Sequence, residues 1–404
     1  ASRYGDSIGI DGYAAIADVS IGNVADILAY AVYGRADGIF ASGAKVEIDN
    51  SGAIDVYGYT WAAGIEAQST GVTDVDNSGD IYAVVSDTGT SFGIYATGAD
   101  VTVTNTGDIE AQGYSATGIE AQSYGDVSVT NDGNIIGGSL TSVYDYYSGN
   151  TYLYGSLVGA GINASSNGEG AAVTVTNSGD ISSQGYYGAT GIAATSGGLG
   201  GSASVTNSGS VYASQYNKYG YGAYGIVVSA DGDGEITNSG SIDVYSAGVA
   251  NGATALSFAG NASVTNSGDI TVESTALLQY AASGIVAFAG NGDAMADNSG
   301  DINAIGGYWA TGSGVRGVGD ATVENSGAVY ANGGKYAFGV YATAGTGDVS
   351  VTNTDDGELG FYSYSGRGWG VFGYANNGDV NVTNDGAISG YAYGQSAGIF
   401  GRAG

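Results

Sequence analysis

The stretch Val101-Thr102-Val103-Thr104-Asn105-Thr106-Gly107-Asp108-Ile109-Glu110-Ala111 decides the fold. From Val101 to Thr104 apolar and polar residues alternate with period two, the mark of a strand with one face buried. Asn105-Thr106-Gly107 then turns the chain, because Asn and Gly accept backbone conformations that a β-branched residue resists. Asp108-Ile109-Glu110-Ala111 forms a second strand with Ile109 and Ala111 inward. After a variable stretch rich in Gly, Ser and Tyr, Gly118-Ile119-Glu120-Ala121 gives a third, and Gly125-Asp126 turns into Val127-Ser128-Val129-Thr130, where the pattern begins again.

Aligned on the turn asparagine, the same unit recurs at Asn23, Asn50, Asn77, Asn105, Asn131, Asn177, Asn207, Asn238, Asn266, Asn298, Asn325, Asn353 and Asn384. An apolar residue precedes each by two positions, and another follows by four except in the Asn353 repeat, where Leu359 takes that place two residues late. A unit of three short strands cannot bury its inward face alone, whereas stacked units pair every strand with its equivalent at ~4.8 Å. The expected fold is therefore all-β: a single parallel, right-handed β-solenoid over residues 1–404, with about 13 coils of three short strands and a length of roughly 60 Å. Propeller blades of ~40 to 45 residues or a sandwich fit badly, since most intervals here run from 26 to 32 residues. No segment sustains a helical period, so no helix is expected. The one long interval, 46 residues between Asn131 and Asn177, reads as a coil carrying an inserted loop at 137–158 with Tyr144, Tyr146, Tyr147, Tyr152 and Tyr154.

Composition agrees with a core-forming repeat array. Gly is 76 of 404 and Pro is 0, which excludes collagen and Pro-rich linkers and assigns glycine to turns. Apolar residues reach 43 %, too many for a disordered chain even at a net charge of −31. That charge argues against nucleic acid and against an anionic membrane surface, both of which need clustered cations. With no Cys, disulfides and thiolate metal sites are excluded, which suits bacterial secretion. No apolar run is long enough to span a membrane. The start has no signal-peptide pattern, so an exported protein would be represented by its mature form or an excised piece.

The chemistry available is narrow. With no His, Ser-His-Asp and Cys-His systems and His-ligated metals are excluded, leaving carboxylate chemistry. A β-helical polysaccharide-degrading enzyme would need a carboxylate cluster in a groove beside a basic residue. Arg3, Arg35, Lys45, Lys218, Arg316, Lys335, Arg367 and Arg402 fall at unrelated phases of the repeat, so no catalytic residue is assigned and an enzyme is not expected. Three residues after the turn Asn, an acid recurs at Asp26, Asp80, Asp108, Asp180, Asp269 and Asp301. Asp80 with Asp108, and Asp269 with Asp301, would lie one strand spacing apart, either as a weak calcium site or as solvated turn residues. No other metal or cofactor is expected. The Asn column, from Asn50 to Asn384, is read as a scaffold in which amides bond to those above and below.

Aromatics gather after the second strand, as in Tyr57, Tyr59 and Trp61, Tyr308 and Trp309, and Tyr362 to Trp369. Stacked, they form a stripe whose rings cover one another, pack against a neighbouring rod, or bind a glycan or host surface. Tyr144, Tyr146, Tyr147, Tyr152, Tyr154, Tyr308, Trp309 and Trp369 are the adhesion candidates.

The recurring Gly-Ile-x-Ala, Val-x-Val-Thr-Asn-Ser-Gly and Ile-x-Ala resemble the passenger regions of autotransporter-type surface proteins of Gram-negative bacteria, from Gly9-Ile10 to Gly398-Ile399. The resemblance implies a secreted or surface-displayed right-handed β-helix, often adhesive. The sequence opens at Ile8-Gly9-Ile10 and closes inside a repeat at Gly398-Ile399-Phe400, so either copies continue one another's stack head to tail or the chain is part of a longer rod. An extracellular structural subunit is the reading this supports, with an adhesive or glycan-binding rod as the alternative.

Overall fold

The computed structural model describes residues 2, 5–86, 88–145, 150–275 and 281–404, with 140–145 and 150–155 described in their backbone only. It is an all-β parallel solenoid of about 13 coils, each coil giving one strand to each of three parallel sheets. No helix occurs among the described residues, so none is long and apolar enough to cross a membrane. Two compact units, residues 1–194 and 195–404, share this coil construction.

In the first unit a representative coil runs Asp100–Asn105, Ile109–Gln112 and Ser115–Ser123. Like stacks on like in register: Val101 on Val127, Val103 on Val129, Asn105 on Asn131 and Ile109 on Ile135. A slip of one residue would turn every inward side chain outward, so the alternation read from the sequence holds this register. Ile65, Ile94, Ile119 and Ile162 form one fully buried column. Each such isoleucine contributes about 1.5–3 kcal/mol by leaving water. The second unit repeats the arrangement, with Ile270 on Ile302 and Val264 on Ala296.

The glycine of each Gly-Ile pair has a packing reason. A Cβ built on Gly118 would overlap Ile135 Cγ2 and lie 2.7 Å from the carbonyl oxygen of Gly161 in the next coil. Gly64 and Gly93 in the first unit, and Gly252 and Gly284 in the second, meet the corresponding isoleucines in the same way. The interior is thus so narrow that one sheet's side chains rest on another sheet's bare backbone.

Two expectations change. The third strand is longer than the sequence pattern suggests: Trp61–Ser69, Trp309–Gly317 and Arg367–Ala375 each span nine residues. Trp61, Trp309 and Trp369 therefore lie in strands, not in a variable loop, because rings at strand positions gain by stacking in register. The insertion, in turn, is a hairpin. Leu140–Asp145 pairs antiparallel with Asn150–Gly155, Val143 opposite Tyr152 and Thr141 opposite Tyr154. Tyr146 and Tyr147 lie outside the described residues, and Tyr144, Tyr152 and Tyr154 are described in backbone alone. Coil pairing continues on either side of it, Ile119 on Ile162 and Asn131 on Asn177.

Candidate functional site

Each ladder asparagine closes the first strand of its coil with its side chain turned inward. In the first unit the Nδ2 of Asn23, Asn50, Asn77, Asn105 and Asn131 donates to the Oδ1 of the next ladder member at 2.7–2.8 Å, ending on Asn177. In the second unit Asn207, Asn238, Asn266, Asn298, Asn325 and Asn353 do the same toward Asn384. The second Nδ2 hydrogen goes to a turn carbonyl, as from Asn105 to Gly107 at 2.7 Å. Asn105, Asn131 and Asn353 are wholly buried, so both amide donors and the acceptor are consumed inside the stack. No binding role is open to them.

The acids of the following turn have similar work. Asp80 Oδ1 accepts the backbone N–H of Asp108 at 3.0 Å, and Asp108 Oδ1 accepts that of Asn134 at 3.0 Å. Asp269 accepts from Asp301 at 3.3 Å, and Asp301 from Ala328 at 3.2 Å. A second acid column at the other turn was not singled out in the sequence: Asp293, Asp320 and Asp348 accept in turn from Asp320, Asp348 and Asp379 at 2.8 Å. One carboxylate oxygen per turn thus ties a coil to the next. Among the described residues no three acids converge as metal ligands would.

The aromatic stripe is largely self-covering. In the second unit Phe338 stacks on Trp369 with ring centroids 4.8 Å apart, and Tyr341 stacks on Phe372 at 5.2 Å. Trp369 is only 9 % exposed, and Trp309, partly buried, is packed among Tyr336, Phe338 and Tyr341. Tyr308 differs, because it occupies the short link 307–308 at the corner between the second and third strands of its coil. Lys335 Nζ donates to its hydroxyl at 3.2 Å and lies 5.3 Å from its ring centroid.

That corner holds a recess of about 860 Å³, bordered by Glu273, Ile305, Tyr308, Asn332, Lys335 and Tyr364. Two successive coils turn the corner in only two residues, 307–308 and 334–335, whereas 364–366 takes three. Glycines line the floor: a Cβ on Gly334 would overlap the Gly307 carbonyl oxygen. Glu273, Lys335 and Tyr364 carry no repeat signature, which is why sequence reading passed over them.

A charged cluster joins the third strands of two neighbouring coils in the first unit, Arg35–Gly43 and Trp61–Ser69. Arg35 Nε donates to Asp37 Oδ2 at 2.5 Å, and its Nη2 donates to Glu66 Oε2. Trp61 Nε1 donates to Asp37 Oδ1 at 3.2 Å, and Gln68 Nε2 to Glu66 Oε1 at 2.6 Å. Arg35 also lies 5.1 Å from the Trp61 ring. Two carboxylates beside an arginine is the set that carbohydrate hydrolysis would need, and the unrelated phase assigned to Arg35 concealed it; stacking Arg35 on Trp61 and Phe40 on Glu66 would have shown it. Yet Asp37 and Glu66 are 0 % and 1 % exposed, and all four oxygens are engaged. This is a buried network with no oxygen turned toward a substrate.

The partners respond unequally to being buried together. Burial opposes the Arg35 charge, but bonds to Glu66 and Asp37 outweigh it and hold the guanidinium firmly protonated. For Asp37 burial dominates over the help of Arg35 and Trp61, and pushes the carboxyl up to about 6. One arginine cannot balance two buried carboxylates, so retention of a proton at Asp37 is the direction that charge counting also favours. Between about pH 4 and 6 the folded state then binds more protons than the unfolded chain, and the stability from this group falls as pH rises across that window. Asp37→Asn should flatten the decline, by on the order of 2 kcal/mol, in urea midpoints taken at pH 4.5 and pH 7. Equal slopes in variant and parent would dismiss the assignment. Burial likewise raises Glu120, against bonds from Gln122 at 2.7 Å and Asn163 at 2.9 Å.

No protein family, curated protein or solved structure matches the chain. Its class therefore rests on the fold: a parallel β-solenoid repeat protein.

Proposed function

We propose that this chain is a non-catalytic structural protein of the cell exterior, a subunit of a surface rod or filament that resembles an autotransporter passenger. The observation that carries the reading is the use of polar side chains in stacking: the buried Asn ladder and the two exposed acid columns all bond coil to coil. Absence of cysteine and the net charge of −31 suit a soluble exterior surface. Head-to-tail association is the mode of assembly proposed: in-register parallel pairing joins coil to coil along all three sheets, and the same pairing can join one copy to another. Negative-stain microscopy of the purified chain should show fibres that lengthen with concentration. Uniformly short, isolated particles at high concentration would overturn head-to-tail assembly.

A second reading, adhesion to a glycan or host surface, is favoured by exposed tyrosines, among them Tyr219, Tyr221 and Tyr364. The Tyr-rich hairpin at 137–158 belongs to the same reading.

A further inference from the structure

We infer that the corner recess of the second unit is a binding site for a neutral oligosaccharide. Three features point there. The recess follows from chain geometry: the two-residue links 307–308 and 334–335 sink two neighbouring corners, and the glycine floor there excludes side chains that would fill it. Its volume of about 860 Å³ lies within the range of small-ligand sites.

The border supplies what a pyranose ring needs. Tyr308 and the 65 % exposed Tyr364 offer aromatic surface to the ring's C–H face. Around them stand a carboxylate acceptor in Glu273, an amide in Asn332 that can donate and accept, and the ammonium of Lys335. Among the described residues no hydrogen bond engages the Asn332 amide or the Glu273 carboxylate, whereas Ser274 and Ser365 are already spent on Gly248 and Gly334 carbonyls at 2.6 and 2.8 Å. Lys335 is held over Tyr308 by its bond to the hydroxyl, leaving two further N–H donors.

Charge selects the class. One lysine and one glutamate balance within the recess, while the chain as a whole carries −31 and repels an acidic polysaccharide at long range. A neutral sugar meets neither penalty. The proposal rests on the adhesive reading and gives it a place.

The test is calorimetric titration of the whole chain with maltopentaose, cellopentaose and chitopentaose, and with pentagalacturonate as the acidic counterpart. Saturable binding of at least one neutral oligomer is expected. Tyr308→Ala, and independently Asn332→Ala, should weaken it about fivefold or more, the loss of one ring or amide contact, while Tyr219→Ala on a different loop leaves it unchanged. No binding of any neutral oligomer, tighter binding of pentagalacturonate, or affinity indifferent to both variants would overturn the site. Cell adherence measured in parallel separates the two levels: adherence that persists without oligosaccharide binding removes this recess and spares adhesion, and loss of both removes the adhesive reading with it.

Discussion

Asn105→Ala is expected to destabilise the first unit by about 4 kcal/mol, which is large for one uncharged side chain. Asn105 accepts from Asn77 at 2.7 Å, donates to Asn131 at 2.8 Å and donates to the Gly107 carbonyl at 2.7 Å. Alanine leaves three buried polar partners unanswered, each worth about 1–3 kcal/mol where water cannot enter. Neighbouring coils fold through each other's contacts, so the loss spreads along the stack. Asn105→Asp should be nearly as costly, because a carboxylate can accept from Asn77 but cannot donate to Gly107 or Asn131. Thr106→Ala, at the exposed next residue, is the control and should change little. A urea denaturation series reads all three; a cost below about 1 kcal/mol for Asn105→Ala would show that the ladder does not hold the turn.

Gly118→Val should have the other large effect, and it is the more severe the less the coil can open. The valine carbons would occupy the space of Ile135 Cγ2 and press on the Gly161 backbone. Overpacking ordinarily costs about 1–3 kcal/mol, and here the obstacle is main chain that two strands hold in place, so a loss above about 3 kcal/mol, or failure to accumulate as folded protein, is expected. Gly118→Ala should fall between this and Gly22→Ala, where an added Cβ meets nothing within 4 Å. If Gly118→Ala unfolds no more readily than Gly22→Ala in the same urea series, the tight Gly-Ile contact is not a requirement of the fold.

The two substitutions also divide what could be read in advance. Asn105 was legible because its column repeats at one phase, and burial with reciprocal bonding follows from stacking alone. The role of Gly118 was not, since Gly118-Ile119-Glu120-Ala121 read only as a strand and gave no reason for its glycine. Only the narrow interior shows that Ile135, on another sheet, occupies the place of a glycine side chain. For Asp80 and Asp108 the structure adds a partner that the sequence did not offer, the backbone N–H of the next coil. Trp309 and Trp369 were placed in loops because a periodicity search cannot see that stacked rings extend a strand.

The sequence by itself determined the solenoid, its coil number, its register and its scaffold residues, because a period-two pattern repeated at a near-constant interval has one economical way to bury its inward face. Tertiary structure alone decided the outward features. Arg35 meets Glu66, and Tyr308 meets Lys335 at the edge of a recess, through loop lengths and lateral packing. Those contacts join side chains outside the repeated consensus, which the signal that revealed the fold does not single out.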